Sequence, residues 1–211
     1  WPVAHGRLTE RGALLTKAMW EQMGARFKRD GGLPAPEKVY VYADVDQRTQ
    51  ATARALLDGL GLHSARYAVS GKTIDPVFHP VKAGVCSLDE EAVRAAILRR
   101  AGGDLKRVVQ EYATALERIG ALVAPFGQGL CRSWNLPEGC TLLGLPNSID
   151  VHDGNSAVNL RGGLAIASSL AEIFLLEYAE WPEKLPAWGQ ANEAVLREIL
   201  PVHNRVFDLV N

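Results

Sequence analysis

The 211-residue chain reads as an α/β protein, and three observations carry that reading. The run 39-VYVYA-43 is unbroken, apolar, and rich in β-branched and aromatic residues, the pattern of a strand buried on both faces of a parallel sheet. Helical periodicity precedes that run and resumes after it, and helix–strand–helix is α/β order. Apolar residues make up 47% of the chain, enough for one large domain or one domain with a sizeable insert.

In chain order, residues 7–30 read as a helix entered through a cap at Thr9, with Leu14, Leu15, Ala18, Met19 and Met23 at helical spacing and Gly31-Gly32 ending it. The strand at 39–43 follows. A second helix covers about Gln47–Leu57, closed by Gly59 and Gly61. Residues 62–88 are less regular: His63, Tyr67 and Val69 fit a short strand, and 72-KTIDPVFHPVKAG-84 reads as a long ordered loop. Ser87 or Asp89 caps a helix running to Arg100. A further helix over 104–122 places Leu105, Val108, Val109, Tyr112, Leu116 and Ile119 on one face. Residues 125–160 read as irregular loop. The segment 164-LAIASSLAEIFLLEYA-179 is apolar almost all round and predicts a buried helix. A last helix over 190–210 contains Pro201, a residue that kinks or splits helices. Strong strand signal is confined to 39–43, and one strand makes no sheet, so either other strands are weak or part of the fold is missing.

Formal net charge is -1, with no basic surplus of the kind a nucleic-acid footprint needs. No apolar run reaches membrane-spanning length. The opening Trp-Pro lacks the pattern of a signal peptide and reads as a processed or trimmed product. Cys131 and Cys140 lie in 129-GLCRSWNLPEGC-140, where a disulfide would close a small loop and imply an oxidising compartment; two free thiols are the alternative. A zinc site is poorly supported, since the nearest His is His152. Cys86 reads as a small buried hydrophobe.

Chemistry is expected past the carboxyl end of the strand, where open α/β sheets bind ligands. Asp44, Asp46, Arg48 and Thr49 occupy that position. A guanidinium in the first turn of a helix offers a fork of donors to phosphate, and the helix N-terminus favours an anion. The other reading holds Arg48 in a structural salt bridge to Asp44 or Asp46, and the two readings are compatible. Glu172 is the second candidate: a carboxylate in an apolar helix needs a cleft or a basic partner. The pair His152-Asp153 tempts a catalytic reading, but Asp-Gly is also an ordinary turn signal. His79 and His203 read as packing or capping residues. No Walker loop, dinucleotide glycine fingerprint or HExxH is present.

Several blocks in order resemble one family: 1-WPVAHGRLTERG-12, 42-YADVDQRTQATA-53, 75-DPVFHPVKAGVC-86, 163-GLAIASSLAEIFLLEYA-179, and Trp188-Gly189 followed by 203-HNRVFDLV-210. The chain is similar to the histidine acid phosphatases, in the branch of bacterial periplasmic phytases and glucose-1-phosphatases. The resemblance implies a phosphoglycerate-mutase-like three-layer α/β core, incomplete here, with a mostly helical inserted domain. Residues 1–85 would be part of the core, 86–200 the insert and 201–211 the return to the core. It implies hydrolysis of a small phosphorylated substrate, an inositol or sugar phosphate, through a phosphohistidine. Arg48 would bind the phosphate, supported by Asp44, Asp46 and Thr49, with Glu172 and Ser169 lining the substrate pocket. Cys131 and Cys140 match a family disulfide. The usual partner of Cys86 would fall near Ser64, which leaves Cys86 outside any bridge. No metal, cofactor, nucleic acid or membrane is implied, and the protein would be a periplasmic or secreted monomer. The family's Arg-His-Gly-x-Arg and its late His-Asp pair are not found, and His152-Asp153 falls in the insert, out of order. An inactive or merely phosphate-binding relative is therefore the alternative.

Overall fold

The computed structural model describes residues 1–124, 128–151 and 158–211. The chain divides into two compact units, Trp1–Cys86 and Ser87–Asn211.

In the first unit, α1 (Glu10–Arg29) starts where the Thr9 hydroxyl accepts the Gly12 N–H, an N-cap that satisfies one of the amides a helix start leaves over. A single turn, Pro36–Lys38, leads into β1 (Tyr40–Ala43). Next come α2 (Gln47–Leu60) and β2 (Arg66–Val69). β2 pairs parallel with β1 in the register Tyr40 to Arg66 through Ala43 to Val69, and the Ser70 N–H continues the ladder to the Ala43 carbonyl at 2.8 Å. Strand, helix and parallel strand form a βαβ unit. α2 runs through Gly59 and ends at Gly61, which takes the left-handed conformation of a helix C-cap. Gly59 lies inside the helix, and its lack of a side chain lets α1 approach: a Cβ there would lie 2.8 Å from the Trp20 Cβ. α1 rests on α2 on its Trp20, Gly24 and Phe27 side. Leu14, Leu15 and Met19, the apolar positions read at helical spacing, are exposed. The small cluster of Leu57, Leu60 and Leu62 offers them nothing to cover.

In the second unit, Asp89 caps α3 (Glu90–Arg100). The helix expected over 104–122 is two: α4 (Leu105–Glu111) and α5 (Ala113–Val123), broken at Tyr112 without Gly or Pro. Its expected apolar face does lie against the core. Residues 125–160 were expected to be loop, yet they hold α6 (Gln128–Ser133), a turn at Leu142–Gly144, and an antiparallel pair, β3 (Ser148–Val151) with β4 (Val158–Arg161). Ile149, Val151 and Leu160 bury on this pair, a period too short to stand out in sequence. Arg161 braces it with two bonds to Asp150 Oδ2, at 2.7 and 2.9 Å, and Arg94 donates to the Ile149 carbonyl. Cys131 and Cys140 form the expected disulfide, Cα atoms 5.6 Å apart, whereas Cys86 is exposed rather than buried.

α7 (Gly163–Glu180) begins with a close approach. Gly162 has φ +103, and a Cβ there would lie 2.8 Å from the Pro146 carbonyl carbon and 2.9 Å from the Asn147 Cα. Asn147 Oδ1 accepts the Leu164 N–H at 2.9 Å, supplying the cap Gly162 lacks. Leu164, Ala167, Ala171 and Phe174 bury against α5 and α8 (Glu193–Val210), which is continuous through Pro201. The expectation that α7 is buried all round fails: Ile173, Leu175, Leu176 and Tyr178 are exposed. No described helix is long and apolar enough to cross a membrane.

Candidate functional site

The carboxyl end of β1 delivers Asp44, Val45 and Asp46 into the start of α2, and four side chains fix this turn. Asp44 is nearly buried, and its Oδ1 accepts the Val45 N–H at 2.8 Å. The Thr49 hydroxyl lies 3.0 Å from the Asp44 carbonyl and 2.8 Å from the Asp46 carbonyl. Gln50 Nε2 donates to the Val45 carbonyl at 2.8 Å. From the other side, Gln47 Oε1 accepts the Leu8 N–H at 3.0 Å. Gly6 at φ +78 brings the N-terminal segment close to the guanidinium of Arg48: a Cβ added at Gly6 would lie 3.9 Å from Nη1.

Asp46 stands at the N-cap of α2 yet makes no capping bond. Its Oδ2 lies instead 3.6 Å from Arg48 Nη2, with the two side chains 55% and 58% exposed. An ion pair this exposed is screened and weak, on the order of 0–1 kcal/mol, so an incoming anion can replace Asp46. At the start of α2 the Thr49 and Gln50 N–H groups donate to the Asp46 carbonyl at 3.1 Å, and the amides before them belong to the set a helix start leaves without a carbonyl partner within the helix. Arg48 and this helix start together can take an anion with two or more oxygens.

Asp44 has a different partner. His79 Nε2 lies 3.3 Å from Asp44 Oδ2, and both side chains are largely buried. His79 reads from sequence as a packing or capping residue, and the fold gives it a carboxylate to hold. Its setting between two prolines in the loop DPVFHP carries no local sign of that partner. In that loop Asp75 is buried and accepts from the Tyr42 hydroxyl at 2.6 Å, the Ser70 hydroxyl at 2.7 Å and the Val77 N–H at 2.9 Å. These donors, Tyr42 first, hold the Asp75 carboxyl below the usual carboxylate range. The same bond raises the Tyr42 phenol above its ordinary value.

Asp44, Asp46, Arg48 and Thr49 are therefore brought together. Glu172 and Ser169 belong to the second unit, three positions apart on α7 and both exposed. Exposure removes the burial cost that made Glu172 conspicuous. Ser169 borders a shallow depression of about 540 Å³ with Trp134, Arg161 and Ile166, and Glu172 does not line it. His203 Nδ1 lies 3.2 Å from the Ser168 hydroxyl, a polar link between α7 and α8. His152 and Asp153 lie outside the described residues. Among the described residues, no group of three or more His, Cys, Asp and Glu is placed to hold a metal ion.

A sequence model of the histidine phosphatase superfamily (branch 2) matches residues 1–137. The phytase AppA of Escherichia coli strain K12 is 35% identical, the alignment covering 100% of this chain and 50% of that protein. A glucose-1-phosphatase of Salmonella typhimurium is 27% identical over 90% of this chain and 46% of its own. Among solved structures, Hafnia alvei phytase in complex with myo-inositol hexakis sulphate aligns with a TM-score of 0.81 and 37% identity, covering 99% of this chain and 52% of that one. The phytase from Citrobacter braakii aligns at 0.80 and 34%, covering 100% and 53%. The chain thus spans about half the length of the relatives it matches.

Proposed function

The chain belongs to branch 2 of the histidine phosphatase superfamily, and on that footing we propose that it forms part of an acid phosphatase acting through a phosphohistidine. The observation that carries the reading is Arg48, at a strand end and a helix start, paired only weakly with Asp46. In this reading Arg48 holds non-bridging oxygens of the phosphoryl group, while Asp44, Asp46 and Thr49 fix the turn that presents it. Ser169 and Glu172, both exposed on α7, are the further substrate contacts of this reading.

The chemistry is double displacement. A histidine nitrogen attacks phosphorus, the P–O bond to the alcohol breaks, and the leaving oxygen takes a proton from a general acid. Water then attacks phosphorus, the P–N bond breaks, and inorganic phosphate leaves. Arg48 stabilises the charge gathering on the equatorial oxygens. No Arg-His-Gly-x-Arg occurs in these 211 residues, so the nucleophile and the acid belong to the remaining half of a protein as long as the relatives. The three-layer phosphoglycerate-mutase-like core, with residues 1–85 as one part of it, 86–200 as insert and 201–211 as return, is part of the same proposal. So are a periplasmic or secreted location and a monomeric state; the Cys131–Cys140 bridge supports an oxidising compartment.

Phytate is the substrate class favoured over a sugar phosphate, because the relatives with higher identity are phytases and one of them is described with a hexasulphate analogue. Assay of the full protein on p-nitrophenyl phosphate, phytate and glucose 1-phosphate at acid pH tests this. Arg48→Ala should lower kcat/KM by about 10²–10³, the range for losing one preorganised charge donor; an unchanged kcat/KM would remove Arg48 from the site. A second reading, phosphate binding without turnover, rests on the missing nucleophile motif, and a phosphate-binding protein with no activity on any of the three esters would establish it.

A further inference from the structure

His79 lies against Asp44, in the turn that carries the proposed phosphate site. Its Nε2 faces Asp44 Oδ2 at 3.3 Å, while its Nδ1 is buried with no hydrogen-bond partner among the described residues. Its polar contact is therefore directed at Asp44. The other Asp44 oxygen is taken by the Val45 N–H. The Thr49 hydroxyl touches the Asp44 carbonyl, so the start of α2 folds back on Asp44, which stands four positions before Arg48 in the same turn. Two carboxylates, Asp44 and Asp46, thus stand in the turn that presents one arginine. The exposed one, Asp46, pairs with it loosely, and the buried one is held elsewhere. The difference matters because a buried carboxylate is screened far less than an exposed one. If Asp44 were released it would make the tighter bridge to Arg48 and would also repel an arriving anion.

We propose that His79 is a positioning residue for the Arg48 site: by holding Asp44 it keeps that carboxylate off Arg48 and leaves the guanidinium available to phosphate. The inference rests on Arg48 being a phosphate ligand, and the test separates the two. Inorganic phosphate is titrated by calorimetry into the protein and into Arg48→Ala, His79→Ala, His79→Gln and the double variant His79→Ala/Asp44→Asn. Thermal melts confirm folding, and His79→Phe, which keeps ring volume without a donor, replaces His79→Ala if that variant does not fold.

Arg48→Ala should abolish measurable binding. His79→Ala should weaken binding about tenfold, the scale of one charge-assisted interaction turned against the ligand. His79→Gln, which still donates to Asp44, should stay within about threefold of the original. Asp44→Asn in the His79→Ala background should restore binding, because the stray charge is gone while an oxygen remains for the Val45 N–H. Phosphate binding that survives Arg48→Ala, or no binding by the unaltered protein, overturns the phosphate reading and this inference with it. Loss in Arg48→Ala with normal binding in His79→Ala overturns the role of His79 alone. So does a weak His79→Ala that Asp44→Asn fails to rescue, since His79 would then only pack.

Discussion

Asp75 gathers three donors around one buried carboxylate, and the consequence is a pH dependence with a definite sign. Its carboxyl is held below the ordinary value, so the folded state binds this proton less readily than the unfolded chain. The stability it contributes is fully present above the unfolded value, about 3.9, and is lost as pH falls through the depressed folded value. Asp75→Asn should destabilise the first unit at neutral pH and flatten its acid limb; chemical denaturation at a series of pH values reads both, and an unchanged acid limb would show that the network does not couple to folding. The placement of Arg48 at a strand end and helix start was legible at this scale because strand, turn and helix start are all local patterns. His79 was not. Its partner, Asp44, is 35 positions away in sequence, and nothing local distinguishes a histidine that packs from one that holds a carboxylate.

Helices with strong periodicity were read to within a few residues, as with α1, α2 and α8. One cause of error is that burial depends on what else is present. Residues 164–179 are apolar on every side, yet α7 has core on one side only, so Ile173, Leu175 and Leu176 are exposed. β3 and β4 are four residues each, too short for an alternating pattern to rise above the Gly, Pro and Asn around them. The disulfide compensates for that weak local structure. It joins α6 to the stretch before the Leu142–Gly144 turn across a sequence separation of nine. Closing a loop of that size should contribute about 2–3 kcal/mol by restricting the unfolded chain. Cys131→Ser/Cys140→Ser should lower the stability of the second unit by that amount in urea. A melt indifferent to reduction would mean the segment is held by packing alone.

Across the whole molecule, burial is unequally shared. The first unit's core is three leucines with partly covered neighbours, while the second buries a continuous cluster that includes Leu116, Ile119, Leu164, Phe174 and Ile199. Protection against hydrogen exchange follows such differences. Amides of α5, α7 and α8 should exchange slowest and those of α1, β1 and β2 earliest, with two separable transitions on heating; uniform protection would contradict the division. That division was only partly legible, because the sequence shows helices and a strand but not which elements share a core.

The junction before α7 has a bearing on how this chain can change over generations. At Gly162 and Gly163 a Cβ would run into the backbone of the 142–147 segment, which has no side chain to move aside. Every amino-acid replacement adds at least that one carbon. Two adjacent positions are thus closed to replacement. Lineages carrying this fold can change much of the helix that follows, but they inherit its point of departure unchanged.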